Sequence, residues 1–387
     1  MDAVRPSPPA GDPSWCDAAT SGLGVYVHVP FCSHRCGYCD FAAFSDLDSL
    51  MEAYVDRVVR ELRARVHEPA ASVFVGGGTP SRLGADLLGQ LLAAVPVADG
   101  AEVTVEMNPE SASPEVIEAA VGAGANRLSF GVQSVTPAVL TFLERRHDDA
   151  DVVAAVEHAR AAGNDNINLD LIYGVPGESE QDWARTLDFT LALEPEHLSC
   201  YALTVEAATP LGRAVAAGEA CAPDDDTAAQ RLAETCERLA GAGYERYEVS
   251  NWARTRPCVH NLRYWSGGAY AGCGNGAHSY SPSTRTRTWN HRHPRTYVDS
   301  DDPVAGREEL TAEQMRDETI MLGLRRSAGI VWPDPSTVPA GLVDNGLATY
   351  TGGRLALTDA GLAVGGAVTL EVVLAAAETA GKAVSRW

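Results

Sequence analysis

Residues 26–41 read YVHVPFCSHRCGYCDF, and the fold is decided by how this stretch is understood. Cys32, Cys36 and Cys39 stand within eight residues at a C-x3-C-x2-C spacing. Three thiols so close together cannot make a complete disulfide framework, because one is always left over. They are also one ligand short of a closed structural zinc site. They suit a [4Fe–4S] cluster, whose irons are held by cysteine thiolates. Three protein ligands for four irons leave one iron open to a further molecule. Zinc binding and a redox dithiol are the other readings of the same three residues.

The rest of the composition sets bounds on that reading. At 387 residues the chain is long enough for one large α/β domain and a smaller one. It is 45% hydrophobic, and no apolar run approaches the ~18 residues of a membrane span. The proline-rich start, MDAVRPSPPAGDPSW, lacks the basic and apolar regions of a signal peptide, so residues 1–20 are expected to be a disordered tail. Nine cysteines without a regular pairing pattern suit a reducing cytoplasm. A formal charge of −22 opposes binding to nucleic acid, which needs a basic surface.

Outward from the cysteine loop, short β-branched runs alternate with amphipathic helical stretches, the pattern of parallel βα units. Leu47, Leu50, Met51, Tyr54, Val55, Val58, Val59, Leu62 and Val66 recur at three- and four-residue steps and mark the first helix. Strands are expected at 24–29, 72–75, 102–106, 126–132, 166–172 and 197–202. The first feeds the cysteine loop and the second runs into Gly76-Gly77-Gly78-Thr79-Pro80. The others finish at Glu106, Gln133, Asp170 and Tyr201. In parallel barrels the reactive groups collect at that end, where the loops converge.

The C-x3-C-x2-C run and the GGTP loop together resemble the radical S-adenosylmethionine (SAM) superfamily. The resemblance implies a partial (β/α)6 TIM-like barrel and a three-cysteine [4Fe–4S] cluster whose open iron binds SAM. It makes Gly77, Gly78 and Thr79 contacts of the SAM amino group; otherwise the loop is a tight βα turn. Glu106 and Asp170 then accept from ribose hydroxyls or the ammonium group, while Gln133 both donates and accepts. Arg145 or Arg146, in LERRH, pairs with the SAM carboxylate. A salt bridge or a helix cap is the ordinary alternative for each. Tyr26 and His28, just before the loop, are expected in the same mouth.

YVHVPFC, GGGTP, RLSFGVQS, NLDLIYGVPG, YEVSN and HNLRYW resemble more narrowly the branch that contains oxygen-independent coproporphyrinogen III oxidase and the HemW heme chaperones. The oxidases typically carry another cysteine two positions after the third ligand; here that position is Phe41, as in the chaperone group. His260-Asn261-Leu262-Arg263-Tyr264-Trp265 resembles the HNxxYW motif of the chaperones. The resemblance thus implies heme as a bound group, His260 as its ligand, and a recipient hemoprotein, a membrane respiratory enzyme first among them. A histidine hydrogen-bonded within a core is the alternative. The family generally shows LGRxH where this chain has LERRH, so Glu144 stands in place of a glycine and would strain a turn that needs positive φ.

From about residue 308 the pattern changes. TAEQMRDETIMLGLRRSAGI reads as a helix with a threonine cap that ends near Gly329. LATYTGGRLALTDAGLAVGGAVTLEVVL reads as a hairpin turned at Gly352-Gly353 and a second helix. The expected organisation is a tail at 1–20, a barrel at 21–250, a connecting region at 251–307 and a winged-helix-like α+β domain at 308–387. With few clustered basic residues, that last unit reads as a lid, a docking surface or a heme-delivery contact rather than a DNA reader.

Overall fold

The computed structural model describes residues 21–384, and the tail expected over 1–20 lies outside the described residues. Six strands run parallel in chain order: β1 (Gly24–Val29), β2 (Ala70–Gly77), β3 (Val97–Met107), β4 (Arg127–Gln133), β5 (Ile167–Tyr173) and β6 (His197–Ala202). β3 begins earlier than the sequence pattern indicates. Its pairing with β2 jumps from Val97 opposite Ala70 to Glu102 opposite Ser72, an irregularity that takes up the residues Ala98–Ala101.

Alternation along the strands separates two environments. Val25, Val27, Val73, Val75, Val105, Leu128 and Phe130 pack in one apolar core with Tyr54, Val55, Val58, Leu62, Leu88 and Ile117 of the crossover helices. The first of those helices, Met51–Arg65, buries the stripe that the sequence predicts. The intervening strand residues, Tyr26, Phe74, Glu106, Ser129 and Asp170, face the barrel interior and line its cavities.

The sheet extends beyond six strands. β7 (Glu245–Glu248) and β8 (Asn251–Ala253) form an antiparallel pair beside β6. On the other side β9 (Tyr270–Cys273) pairs parallel with β1, followed by antiparallel β10 (His278–Ser281), β11 (Thr286–Asn290) and β12 (Val304–Glu309). The result is a twelve-stranded sheet with β12 and β7 at its two ends, so the barrel is partial. The helix Val259–Trp265 lies between these two extensions in sequence.

The C-terminal residues form a smaller α+β unit with its own core of Ile320, Leu324, Ile330, Trp332, Leu342, Leu355, Val368 and Val372. Its sheet is β13 (Ile330–Val331), β15 (Arg354–Leu357) and β14 (Ala348–Thr351), in that order. The hairpin turns at Gly352 and Gly353, both with positive φ (59° and 76°). The preceding helix, Ala312–Gly323, starts at a Thr311–Gln314 capping box and ends at Gly323, six residues before Gly329, where the Ile330 side chain lies against the helix.

Glu61 ties the first crossover helix to the β9–β12 extension. Its carboxylate is 2% exposed and accepts from Arg65 (2.7 Å), Asn290 Nδ2 (2.8 Å), Gly274 N–H (3.0 Å) and Tyr297 O–H (2.5 Å). Removing one partner of such a buried network leaves the others unpaired. Glu61→Ala is therefore expected to cost about 3–5 kcal/mol, seen as a lower urea midpoint at unchanged m-value. A midpoint equal to that of the wild type would show that Glu61 is not the anchor.

Candidate functional site

β1 is followed by Pro30 and Phe31, which lead into the cysteine loop. The loop is closed at its base by Cys32 N–H donating to Phe44 O (3.0 Å) and Phe44 N–H donating to Pro30 O (2.7 Å). The neighbouring strand holds it from the side: Gly78 N–H donates to Val29 O (2.7 Å) and Thr79 N–H to Phe31 O (2.9 Å). All three cysteines are free, partly exposed and turned to one cavity of about 420 Å³. Burial pushes the Cys39 thiol up to about 11 and raises that of Cys32 as well. A nearby cation reverses this and draws out the thiolates. Among the described residues no three His, Cys, Asp or Glu side chains converge on a single ion. A cluster does not need that convergence, since each cysteine meets a different iron.

The glycine run at the end of β2 has a reason inside the protein itself. A side chain at Gly77, where φ is 111°, would fall 2.3 Å from the His28 ring. One at Gly78 would strike the backbone at the end of β1. Gly77 N–H donates to Glu106 Oε2 (3.0 Å), which fixes that carboxylate at the cavity wall. Burial first, and the neighbouring Asp170 second, raise the pKa of Glu106 to about 7.

The remaining wall comes from the ends of β3 to β5. Asp170 accepts from Ser129 (2.8 Å) and Asn168 (3.0 Å) and so is held on the interior face. Gln133 sits at a register shift of β4 with φ 64°, a bulge that re-aims its side chain into the cavity. Arg145 donates from one Nη to Asn108 Oδ1 and Gly131 O, both at 2.7 Å, and its Nε is buried without a partner among the described residues. Arg146 is exposed. The cavity thus brings together Cys32, Cys36, Cys39, Gly77, Gly78, Thr79, Glu106, Gln133, Arg145 and Asp170. A guanidinium and two carboxylates lining one cavity offer it a donor and two acceptors, groups of both charges that suit a zwitterion.

Asn108 was not singled out in the sequence. Its Nδ2 donates to Thr79 Oγ1 (3.2 Å) while its Oδ1 accepts from Arg145, so it links the glycine loop to the arginine. Its place two residues beyond Glu106, on the same face of the chain, is the signal that was there to read.

Two expected mouth residues lie elsewhere. His28 is buried beneath Gly77, with Nε2 3.2 Å from Ala42 O and Nδ1 2.9 Å from Tyr26 Oη. It props the loop from below rather than facing the mouth. Tyr26 lines a second, inner cavity of about 130 Å³, together with Phe74, Arg127, His260 and Tyr264. Glu106, Ser129, Asp170 and Tyr201 are common to the two cavities. Phe41 is 60% exposed on the rim of the mouth.

His260 sits at the opposite end of the barrel from the cysteines. Main-chain N–H groups of Val259 and His260 donate to Glu102, both at 3.1 Å, which pins the helix Val259–Trp265 under the strand beginnings. The His260 ring is fully buried. Its Nδ1 lies 3.0 Å from Ser72 Oγ and its Nε2 3.0 Å from Tyr264 Oη, so neither nitrogen is free to take a metal in this conformation. Burial, then the Arg263 charge, lower its pKa to about 3, so the ring is neutral. Tyr264 is also a wall of a third cavity of about 340 Å³, with Trp265, Tyr270, Tyr280, Arg287 and Met315.

Residues 26–190 match the radical SAM superfamily. The chain is 43% identical over 368 residues to the heme chaperone HemW of Mycobacterium tuberculosis, covering 89% of this chain and 93% of that protein. It is 34% identical over 320 residues to the heme chaperone HemW of Bacillus subtilis, covering 79% and 84% respectively. Among solved structures it resembles coproporphyrinogen III oxidase (HemN) of Escherichia coli, a radical SAM enzyme, with a TM-score of 0.76 over 94% of this chain and 93% of that one. At 20% identity this last likeness concerns the fold.

Glu106 gives the site a pH signature. Its folded value of about 7 lies above the ordinary 4.5, so its contribution to stability is complete at low pH and is lost as pH rises from 4.5 through 7. Glu106→Gln keeps an acceptor for Gly77 and removes the titration. Its stability relative to wild type should therefore rise between pH 5 and pH 8 in urea titrations. A difference that stays flat across that range would mean that Glu106 titrates as an ordinary glutamate.

Proposed function

The chain belongs to the HemW heme chaperone family of radical SAM proteins, and from that premise we propose that it binds heme and passes it to a hemoprotein. Cys32, Cys36 and Cys39 hold a [4Fe–4S] cluster in this reading, and SAM occupies the barrel mouth. The observation that carries the cofactor assignment is the single cavity shared by three free thiols, the Gly77–Thr79 loop and Arg145. Arg145 would hold the carboxylate of SAM. Glu106, Asp170 and the glycine loop would hold its ammonium and ribose, with Gln133 completing the wall. When bound, cluster and SAM supply one-electron chemistry at the sulfonium. The chain's own part is to orient these groups and to keep water from them.

Heme binding rests on the family and on the aromatic cavity beside Tyr264. In our reading the macrocycle packs against Tyr264, Trp265, Tyr270 and Tyr280. His260 becomes the iron ligand when the Tyr264 hydroxyl leaves its Nε2, since Tyr264 stands between that nitrogen and the outer cavity. The neutral imidazole is the form that ligates metals. The recipient is a hemoprotein, and a membrane respiratory enzyme is the class we put first. Among the described residues no helix is long and apolar enough to cross a membrane.

Coproporphyrinogen oxidation is the alternative, and Phe41 on the mouth rim weighs against it. Reconstituted protein incubated anaerobically with coproporphyrinogen III, SAM and a reductant is expected to yield no protoporphyrinogen IX. Appreciable product would overturn the chaperone-only reading. In a heme titration followed by absorbance, His260→Ala should weaken the complex. Tyr264→Phe frees Nε2 at the loss of one hydrogen bond and should tighten binding by about fivefold. Heme spectra and affinities that are the same in both variants and the wild type would remove His260 as the ligand.

A further inference from the structure

Glu144 stands where a short helix ends. The chain turns after Pro137–Phe142 with Glu144 N–H donating to Thr141 O (3.1 Å) and Arg145 N–H donating to Leu140 O (2.8 Å). This is the Schellman arrangement, in which the residue after the cap is left-handed. Glu144 accordingly has φ 53°, a conformation that glycine takes without strain and other residues resist. The turn delivers the next residue, Arg145, into the cavity. A glycine would serve the turn better, so the glutamate side chain needs another reason to be there.

That reason is visible across the mouth. Gly37 N–H donates to Glu144 Oε2 at 3.0 Å, and His34 Nε2 lies 2.8 Å from the same oxygen. Cys36 Sγ approaches the main-chain oxygen of Glu144 at 3.9 Å. On its other side Gly37 O accepts from Leu211 N–H at 2.9 Å. Both main-chain polar groups of the residue after the middle cysteine are thus met from outside the loop. The bases of the loop are already tied to Phe44 and to β2, whereas its centre is held by Glu144 and Leu211.

We infer that Glu144 is a positioning residue for the iron–sulfur cluster: its carboxylate fixes the Cys36–Gly37 turn in ligand geometry before iron arrives. The inference rests on the assignment of Cys32, Cys36 and Cys39 as cluster ligands. The strain at Glu144 is offset by two hydrogen bonds to the loop, one of them from a main-chain amide to a charged oxygen.

The test compares E144G and E144Q in the full chain. E144G removes the carboxylate and also relieves the backbone, so the fold should be retained, as an unlowered melting temperature would register. In metal-free protein, amide hydrogen exchange at Gly37 should quicken about tenfold in E144G, the size expected for one hydrogen bond to a charged group. In reconstituted protein, iron release to a chelator under anaerobic conditions should quicken to a similar degree. E144Q keeps a neutral acceptor for Gly37 and should fall between wild type and E144G in both measurements. Unchanged exchange and iron release in E144G would overturn the inference, as would an E144Q protein impaired as fully as E144G. A wild-type protein that takes up no cluster would overturn the ligand assignment instead, while exchange at Gly37 in metal-free protein would still decide whether the contact exists.

Discussion

Everything at the mouth depends on how closely the ends of β1 and β2 can approach. Val29 O and Phe31 O accept from Gly78 and Thr79 N–H, and a side chain at Gly78 would fall 2.8 Å from that backbone. A side chain at Gly76 would fall 2.5 Å from Glu106 Oε2, and one at Gly77 would displace His28. The missing side chains therefore let three strands meet at one point. Because Cys32 follows Phe31 directly, any shift of β2 moves the first thiol and the Glu106 carboxylate together. Cluster ligands and cofactor wall form one mechanical unit.

The parts of this that could be read in the sequence share a physical property: they are local. Six parallel strands announce themselves as β-branched runs, and their polar last residues fall in register because parallel pairing aligns strand ends. The hairpin at Gly352-Gly353 and the threonine cap at Thr311 are equally local signals. The strands β7 to β11 have three to five residues each, and β8 only Asn251–Ala253, too few for alternation to show. Their places in the sheet are set by contacts such as Val27 opposite Cys273, far apart in sequence.

The site residues divide in the same way. Glu106, Gln133 and Asp170 are legible because a strand carries them to the mouth. The confinement of His260 is not, because it comes from Ser72, 188 residues away, and from Tyr264 folding back along its own helix. His28 illustrates the limit of alternation: the pattern gives the face on which it lies but not that Gly77 would roof it over. Glu144 looks in the sequence like a fault in a glycine turn. Its compensation lies in Gly37, 107 residues earlier, where no pattern along the chain points.

The segment around His260 also orders events in time. Its helix supplies partners to Ser72 and Glu102, groups on strands made long before it, at separations of 188 and 158 residues. Arg263 reaches back further, to Ser21 and Gly22 ahead of the first strand. A chain emerging from the ribosome completes all six parallel strands while these early polar groups still await their partners. Loop closure over such spans is slow compared with the pairing of neighbouring strands. The end of the barrel away from the cysteines is therefore completed only by residues that follow all six parallel strands in the chain, among them the helix that carries the HNxxYW motif.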